Sequence, residues 1–355
     1  MTPLAEILIR QIARDGPISV ADYMAACLHH PQHGYYATRD PLGAAGDFIT
    51  APEISQMFGE LMGLALAQAW IDQGAPNRAV LAELGPGRGT LMADVLRATA
   101  RVPGFHEAMQ LCLVESSPVL RAAQADRLGS FDPVFVDQAG DLPDGPLFLL
   151  ANEFFDALPV RQFQRGAAQW HERMIGLGDG RLVWGLSPEK PVAALDARLA
   201  DTVPGQIVET CAPAEAIASE IGRRIATFGG AAIIVDYGDS VSIGDTFQAV
   251  AGHAYADPLA APGAADLTAH VAFAPLIAAA APADGHGPVP QGVVLERLGI
   301  AARADALAAR LGGADLSAHL AAHRRLTHPD EMGNLFKVIG LTPTGAPAPP
   351  GLEPA

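Results

Sequence analysis

The chain has 355 residues, half of them hydrophobic and 17% charged, with 23 Lys and Arg against 39 Asp and Glu for a formal net charge of −16. That composition supplies core for two domains, or for one with large insertions, and excludes a disordered chain. So acidic a balance also excludes a general binder of nucleic acid or anionic membrane, since phosphates must be neutralised by Lys and Arg; a cationic substrate stays open. Cys27, Cys112 and Cys211 are too few and too scattered for a disulfide framework or a zinc site, which fits a reducing compartment. No apolar run reaches ~18 residues, and the first residues lack the pattern of a signal or transit peptide. The expectation is a cytoplasmic protein without membrane insertion.

Taken in chain order, Thr2-Pro3 opens a helix that stops at Asp15-Gly16, and Ser19 with Asp22 three residues on opens a second that ends near His29. A glycine-punctuated loop over residues 34–46 follows. Thr50-Ala51-Pro52-Glu53 reads as a capping box leading a long helix. The pattern then changes to strand, turn, helix. Apolar strands are expected at 79–84, 110–115, 133–136 and 146–150, with helices at 90–100 and 118–128, which implies a parallel sheet covered on both faces. Alternating runs at 160–164, 170–174 and 181–184, separated by glycine turns, read as an antiparallel insertion. Residues 231–235 restore the sheet. Beyond them the pattern predicts a loop at 258–266, a helix at 267–280, a loop at 281–290, helices at 291–298 and 303–311, and a last strand at 336–341.

The fold expected is thus α/β, a Rossmann-like and mostly parallel sheet with helices on both faces, a helical N-terminal extension and an antiparallel β insertion. The predicted division is a helical extension and lid over 1–75 and the first part of a cofactor-binding core over 76–160. The antiparallel insertion with helices takes 161–228, the completion of the core 229–341, and a disordered Pro/Ala/Gly-rich tail 342–355.

The most informative segment runs from Leu81 to Thr90 and reads Glu-x-Gly-x-Gly-x-Gly at Glu83, Gly85, Gly87 and Gly89. Glycines let backbone approach a ligand where the first strand meets its helix. A dinucleotide fingerprint needs its third glycine three residues beyond the second; that position is Thr90, so the phosphate-cradling pattern is not met. An acidic residue at the strand end suits a cationic ligand instead. Glu115 ends the second strand, where a carboxylate can accept both hydroxyls of a ribose. Together these residues resemble the first two motifs of class I S-adenosylmethionine-dependent methyltransferases, whose cofactor carries a ribose and a sulfonium cation. Thr90 and Thr50 are counted with the cofactor residues. Asp137, after the third strand, either reaches the adenine amine or is a solvated strand end. The competing reading is an α/β turn that merely needs glycines.

Asn152-Glu153-Phe154-Phe155-Asp156 follows the fourth strand, where this fold places its acceptor. Two carboxylates flanking two aromatics suit a cation with an apolar stem, and carboxylates match a guanidinium in charge and geometry. The candidate catalytic residues are therefore Glu153, Asp156 and Asn152, with Asp47 as a lid residue. A helix N-terminus would also favour Asp and Glu here. His29, His30 and His33 sit in a Pro/Gly loop without carboxylate or thiol company, and no metal is expected. Asp236-Tyr237 either lines the acceptor channel or caps the sheet, and Asp266 is either the cap of the helix from Leu267, the favoured reading, or a channel residue.

The chain also resembles the MidA-like methyltransferases, through segments 46–55, 58–60, 83–91, 151–160, 235–238, 265–271 and 332–338 in order. The one departure is Ala272, where that family's pattern has an acidic residue. Mitochondrial members of the family are respiratory complex I assembly factors and protein arginine methyltransferases. The resemblance implies S-adenosylmethionine as cofactor, a complex I core subunit as protein partner and symmetric dimethylation of one of its arginines. Three other readings stand beside it: methylation of a small amine, a non-catalytic complex I chaperone, and an NAD-dependent oxidoreductase, the last disfavoured by the glycine spacing.

Overall fold

The computed structural model describes residues 1–38, 50–252 and 254–354. The chain divides into two compact units that interleave in sequence. One takes residues 1–38 with Asp156–Ala214 and Val241–Ala272; the other takes residues 50–155, Glu215–Ser240 and residues 273–354.

The second unit is built on a twisted sheet. Its strands are β1 (Ala79–Leu84), β2 (Met109–Val114), β3 (Val134–Val136), β4 (Leu147–Asn152), β5 (Gly230–Asp239), β6 (Asp284–Pro290) and β7 (Phe336–Thr342). They lie in the order β6-β7-β5-β4-β1-β2-β3. Pairing is parallel from β5 through β3 and antiparallel where β7 meets β5 and β6. The chain leaves β1 in one direction for β2 and β3 and returns on its other side as β4 and β5. Sequence order therefore reverses between β1 and β4, and in such sheets a ligand binds beyond the carboxyl ends of the strands at that point. All residues of β1 and β4 are buried, which is why both read as unbroken apolar runs rather than alternating ones.

Two helices pack unusually closely in this unit. In α1 (Gln56–Asp72) and α2 (Thr90–Thr99), a Cβ added at Gly59 would fall 2.7 Å from Asp94 Cβ, and one at Gly63 would fall 2.9 Å from Val95 Cα. The approach brings Glu60, 4% exposed, under Arg97 at 2.5 Å and under Arg303 at 2.7 and 2.9 Å. Burial raises the Glu60 pKa, but hydrogen bonds from Arg303 and Arg97 outweigh it and hold the group below its ordinary value. Its stabilisation is therefore present above the ordinary carboxylate range and lost as pH falls through the depressed value. Glu60→Ala is expected to cost about 2–4 kcal/mol in urea unfolding, with a smaller loss for Glu60→Gln.

The first unit carries helices Pro3–Asp15, Val20–His29 and Tyr35–Thr38. The first is capped by the Thr2 side chain and the second by a complete Ser19/Asp22 capping box, as expected. Leu4, Leu8, Met24 and Leu28 bury their apolar face with Ile175 and Leu267. An antiparallel sheet runs Ile18–Ser19, Trp170–Gly178, Arg161–Arg165, Ile207–Thr210, with Arg181–Leu186 beside Trp170–Gly178. This is the predicted insertion, extended at its strand ends and joined by a short N-terminal strand. Among the described residues no helix is long and apolar enough to cross a membrane.

Four expectations are corrected. Thr50 makes no side-chain cap bond, and the turn Ala51–Ile54 breaks at Ser55 before the long helix starts. Residues 266–272 are the short strands Asp266–Thr268 and Val271–Ala272, and the helix begins only at Phe273; Asp266 is consequently no helix cap. The Gly- and Pro-rich stretch predicted as loop contains β6, an edge strand with a bulge between His286 and Val289, the one sheet position where prolines are tolerated. The tail predicted to be disordered folds back: Leu352 is 3% exposed within the core cluster, and Arg297 donates to the Gly351 carbonyl at 3.1 Å. A helix at Gly313–Thr327 lacked a sequence signal, because only Leu326 of its residues is buried and its apolar periodicity is correspondingly weak.

Candidate functional site

β1 ends at the glycine loop, and all three loop glycines have left-handed backbones: φ is +59° at Gly85, +53° at Gly87 and +75° at Gly89. At Gly85 space is limiting as well, since a Cβ there would sit 2.8 Å from the Phe154 ring. Glycine is thus required on two grounds where the first strand turns into its helix. Gly89 is the N-cap of α2.

Glu83 is 3% exposed, and its Oε2 has no hydrogen-bond partner among the described residues. Burial pushes its pKa up to about 8, against the Met92 amide, which lowers it, and with the nearby Glu115 carboxylate adding to the rise. The sign for stability follows directly. An acid whose folded pKa lies above its ordinary 4.5 binds more protons when folded, so stability falls as pH climbs from there toward about 8 and then levels. Glu83→Gln is expected to flatten that decline in urea unfolding measured across the same range.

Glu115 follows β2, its Oε1 accepting from the Ser117 amide at 2.7 Å. Burial raises its pKa, opposed by hydrogen bonds from Ser117 and Gln124. Gln124 was not singled out from the sequence. It is fully buried, donates to the Gly87 carbonyl at 2.6 Å and reaches Glu115 Oε2 at 3.4 Å, tying the loop to the carboxylate. The signal was there: Leu120, Gln124 and Leu128 form the buried stripe of α3 (Pro118–Leu128), and an amide on that stripe needs a polar reason. Asp137 is exposed and paired with Arg121 at 2.6 Å. Thr90 Oγ1 donates to Glu53 Oε1 at 2.6 Å and accepts from Arg127. The Thr50 carbonyl accepts from the Glu53 amide at 2.9 Å.

On the other side of β1, β4 ends in Asn152, and Glu153 follows it. Glu153 has φ +50°, a left-handed backbone costing about 1 kcal/mol in a residue with a side chain. Its amide donates to Val235 at 2.9 Å, and its Oε1 accepts from Asn152 Nδ2 and the Ala51 amide, each at 3.1 Å. Asn152 Oδ1 is buried without a partner among the described residues. Asp236, also buried, accepts from the Phe155 amide at 2.9 Å and from Tyr237 at 2.9 Å. Of its two sequence readings, the structure supports the cap: it holds the 153–155 turn.

Asp156 belongs to the first unit. It is 7% exposed, and its carbonyl accepts from Ala269 at 3.0 Å. Tyr36 donates to Asp266 Oδ1 at 2.9 Å, and its pKa is raised well above the ordinary value by burial, with Asp266 and Asp156 adding to it. Asp47 lies outside the described residues.

A buried carboxylate with an orphaned oxygen, Glu83, and a partly buried one, Glu115, flank a loop of left-handed glycines at a topological switch point. That donor set fits a ligand with a cation and a ribose, and S-adenosylmethionine has both.

Residues 61–289 match the family described as "Putative S-adenosyl-L-methionine-dependent methyltransferase". The chain is 36% identical to protein arginine methyltransferase NDUFAF7, mitochondrial, of Danio rerio, across 95% of this chain and 86% of that one. It is likewise 36% identical to the Homo sapiens protein of that name, across 97% and 84%. A likely methyl transferase of the COG1565 superfamily from Burkholderia thailandensis, solved with S-adenosyl-homocysteine, superposes with a TM-score of 0.81 at 30% identity, covering 99% of this chain and 93% of that one. A native structure from the same organism gives 0.79 at 31% identity, covering 99% and 92%. The fold is that of class I methyltransferases, the cofactor is S-adenosylmethionine, and the chain belongs to the MidA-like family of S-adenosylmethionine-dependent methyltransferases.

Proposed function

We propose that this enzyme is a protein arginine methyltransferase that symmetrically dimethylates an arginine in a core subunit of respiratory complex I and so supports its assembly, working in the cytoplasm. One observation carries the acceptor reading. Glu153 is held in a strained backbone, with one carboxylate oxygen fixed by two N–H donors, at the end of the strand paired with the one that bears Glu83. The name of the relatives, protein arginine methyltransferase, supports arginine over a small amine.

On this reading Glu83, Glu115, Thr90, Thr50 and the backbone of Gly85, Gly87 and Gly89 hold the cofactor, and Asp137 lies at the adenine end. When bound, the cofactor supplies a methyl group activated by its sulfonium. Glu153, with Asn152 beside it and Asp156 three residues on in the chain, binds the guanidinium. Asp47 is retained as a lid residue. A protonated guanidinium is a poor nucleophile, so the protein must place its positive charge away from the reacting nitrogen. A carboxylate on one edge of the planar fork does that and can accept the proton lost as the new C–N bond forms. A neutral Glu83 in the free protein has a further consequence. Binding a cation beside it draws off its proton, so affinity for S-adenosylhomocysteine, which keeps the amino-acid ammonium, should fall as pH drops below about 8.

The test is incubation of the protein with the recombinant complex I core subunits and tritiated S-adenosylmethionine, followed by acid hydrolysis. Label in symmetric dimethylarginine is the expected result. Label confined to lysine, or to a small amine in a cell extract, overturns the substrate.

A further inference from the structure

The turn Ala51–Ile54 does not cap itself. A Thr-x-x-Glu sequence ordinarily closes a reciprocal box, the Thr hydroxyl accepting from the Glu amide and the Glu carboxylate accepting from the Thr amide. Here Thr50 makes no side-chain cap bond. The Glu53 carboxylate accepts from Thr90 Oγ1 at 2.6 Å instead, and the Ala51 amide donates to Glu153 Oε1 at 3.1 Å. The first amides of a helical turn have no partner inside the turn, and Ala51 is fully buried, so its N–H must find an acceptor. That acceptor is the carboxylate assigned above to the guanidinium. Asn152 Nδ2 donates to the same oxygen at 3.1 Å. One short turn thus touches the first residue of α2, beyond the glycine loop, through Glu53 and the acceptor carboxylate through Ala51. Pro52, buried as well, fixes its own φ in the span between them.

We propose that Glu53 is a positioning residue for methyl transfer: by gripping Thr90 it seats the turn whose Ala51 amide orients the Glu153 carboxylate. The proposal rests on Glu153 being the acceptor carboxylate. Two N–H donors on one oxygen, from Ala51 and Asn152, restrict the carboxylate's rotation. Without the Thr90 contact the turn keeps its internal bonds but loses its seat. Orientation is the quantity at risk, and small misplacements of a catalytic group cost large factors in rate.

The experiment pairs amide hydrogen exchange with steady-state kinetics on the full chain, using the complex I core subunit labelled above as acceptor. Glu53→Ala and Thr90→Val remove the same hydrogen bond from opposite ends. Both should speed exchange of the Ala51 amide at least tenfold with little change in melting temperature. Glu53→Ala should also lower kcat at least tenfold, and the double variant with Glu153→Gln should be no slower than Glu153→Gln alone. Glu53→Gln keeps an accepting oxygen for Thr90 and should recover most of the protection and the rate. A general loss of structure would not give this rescue or this non-additivity. Unaltered Ala51 exchange in Glu53→Ala, with Glu153→Gln inactive, overturns the positioning role alone. A Glu153→Gln enzyme with the wild-type rate overturns the acceptor reading and the positioning role with it.

Discussion

Glu153→Gln is expected to lower kcat for the protein acceptor by roughly 10²–10⁴-fold, the usual worth of a positioned carboxylate that moves a proton. Glutamine keeps an oxygen for the Asn152 and Ala51 donors, so the turn should hold and stability should change little. It lacks the charge needed to polarise a guanidinium and the basicity to take its proton. Binding of S-adenosylhomocysteine should be unaffected, which separates this variant from one that damages the cofactor side. Stopped or slow turnover with normal product binding supports the acceptor role. A variant within twofold of wild type in kcat sinks it. The backbone adds its own argument. Strained, left-handed residues persist where the surroundings over-determine them, commonly at functional sites, and here the surroundings are Val235, Asn152 and Asp236.

How much of this was legible in the sequence depends on what each residue answers to. β1, α2, β2 and α3 matched within a residue at their ends, because strands buried on both faces give unbroken apolar runs and Ser117-Pro118 marks a helix start. The glycines were legible because their backbones are left-handed, a local demand that sequence records directly. What sequence could not show was where a polar side chain turns when two partners compete for it. Thr50 and Glu53 carried a capping signature, and Glu53 went to Thr90, far along the chain. Asp266 looked like a cap and sits in a strand, accepting from Tyr36. The tail was misjudged for a different reason. Proline and glycine report that a segment cannot form a ladder or a helix, and they are silent on whether one leucine finds a cleft; Leu352 found one. The charge state of Glu83 was likewise out of reach, since it follows from burial and from Glu115 rather than from any neighbour in sequence.

Glu115→Ala is the second variant with a large expected effect, a loss of at least 10²-fold in S-adenosylhomocysteine affinity by calorimetry. A carboxylate accepting two ribose hydroxyls makes two charge-assisted hydrogen bonds, each worth about 1.5–3 kcal/mol, and alanine replaces neither. The loss cannot be read from the fold itself, where Glu115 ties down Ser117 and Gln124. Those ties do make a control necessary. Truncation frees Gln124, whose Nε2 still has the Gly87 carbonyl at 2.6 Å, so the loop should stay seated and the melting temperature should drop by a few degrees at most. Glu115→Gln narrows the reading further, for it keeps an acceptor oxygen and the Ser117 contact while giving up the charge; an intermediate affinity is expected. A Glu115→Ala protein that melts normally and binds as wild type would move the ribose away from β2 and leave this carboxylate without a role. One that melts normally and fails to bind puts the ribose there, and the spacing of Glu83, the glycines and Glu115 then accounts for a site that takes a cationic nucleoside and refuses a pyrophosphate.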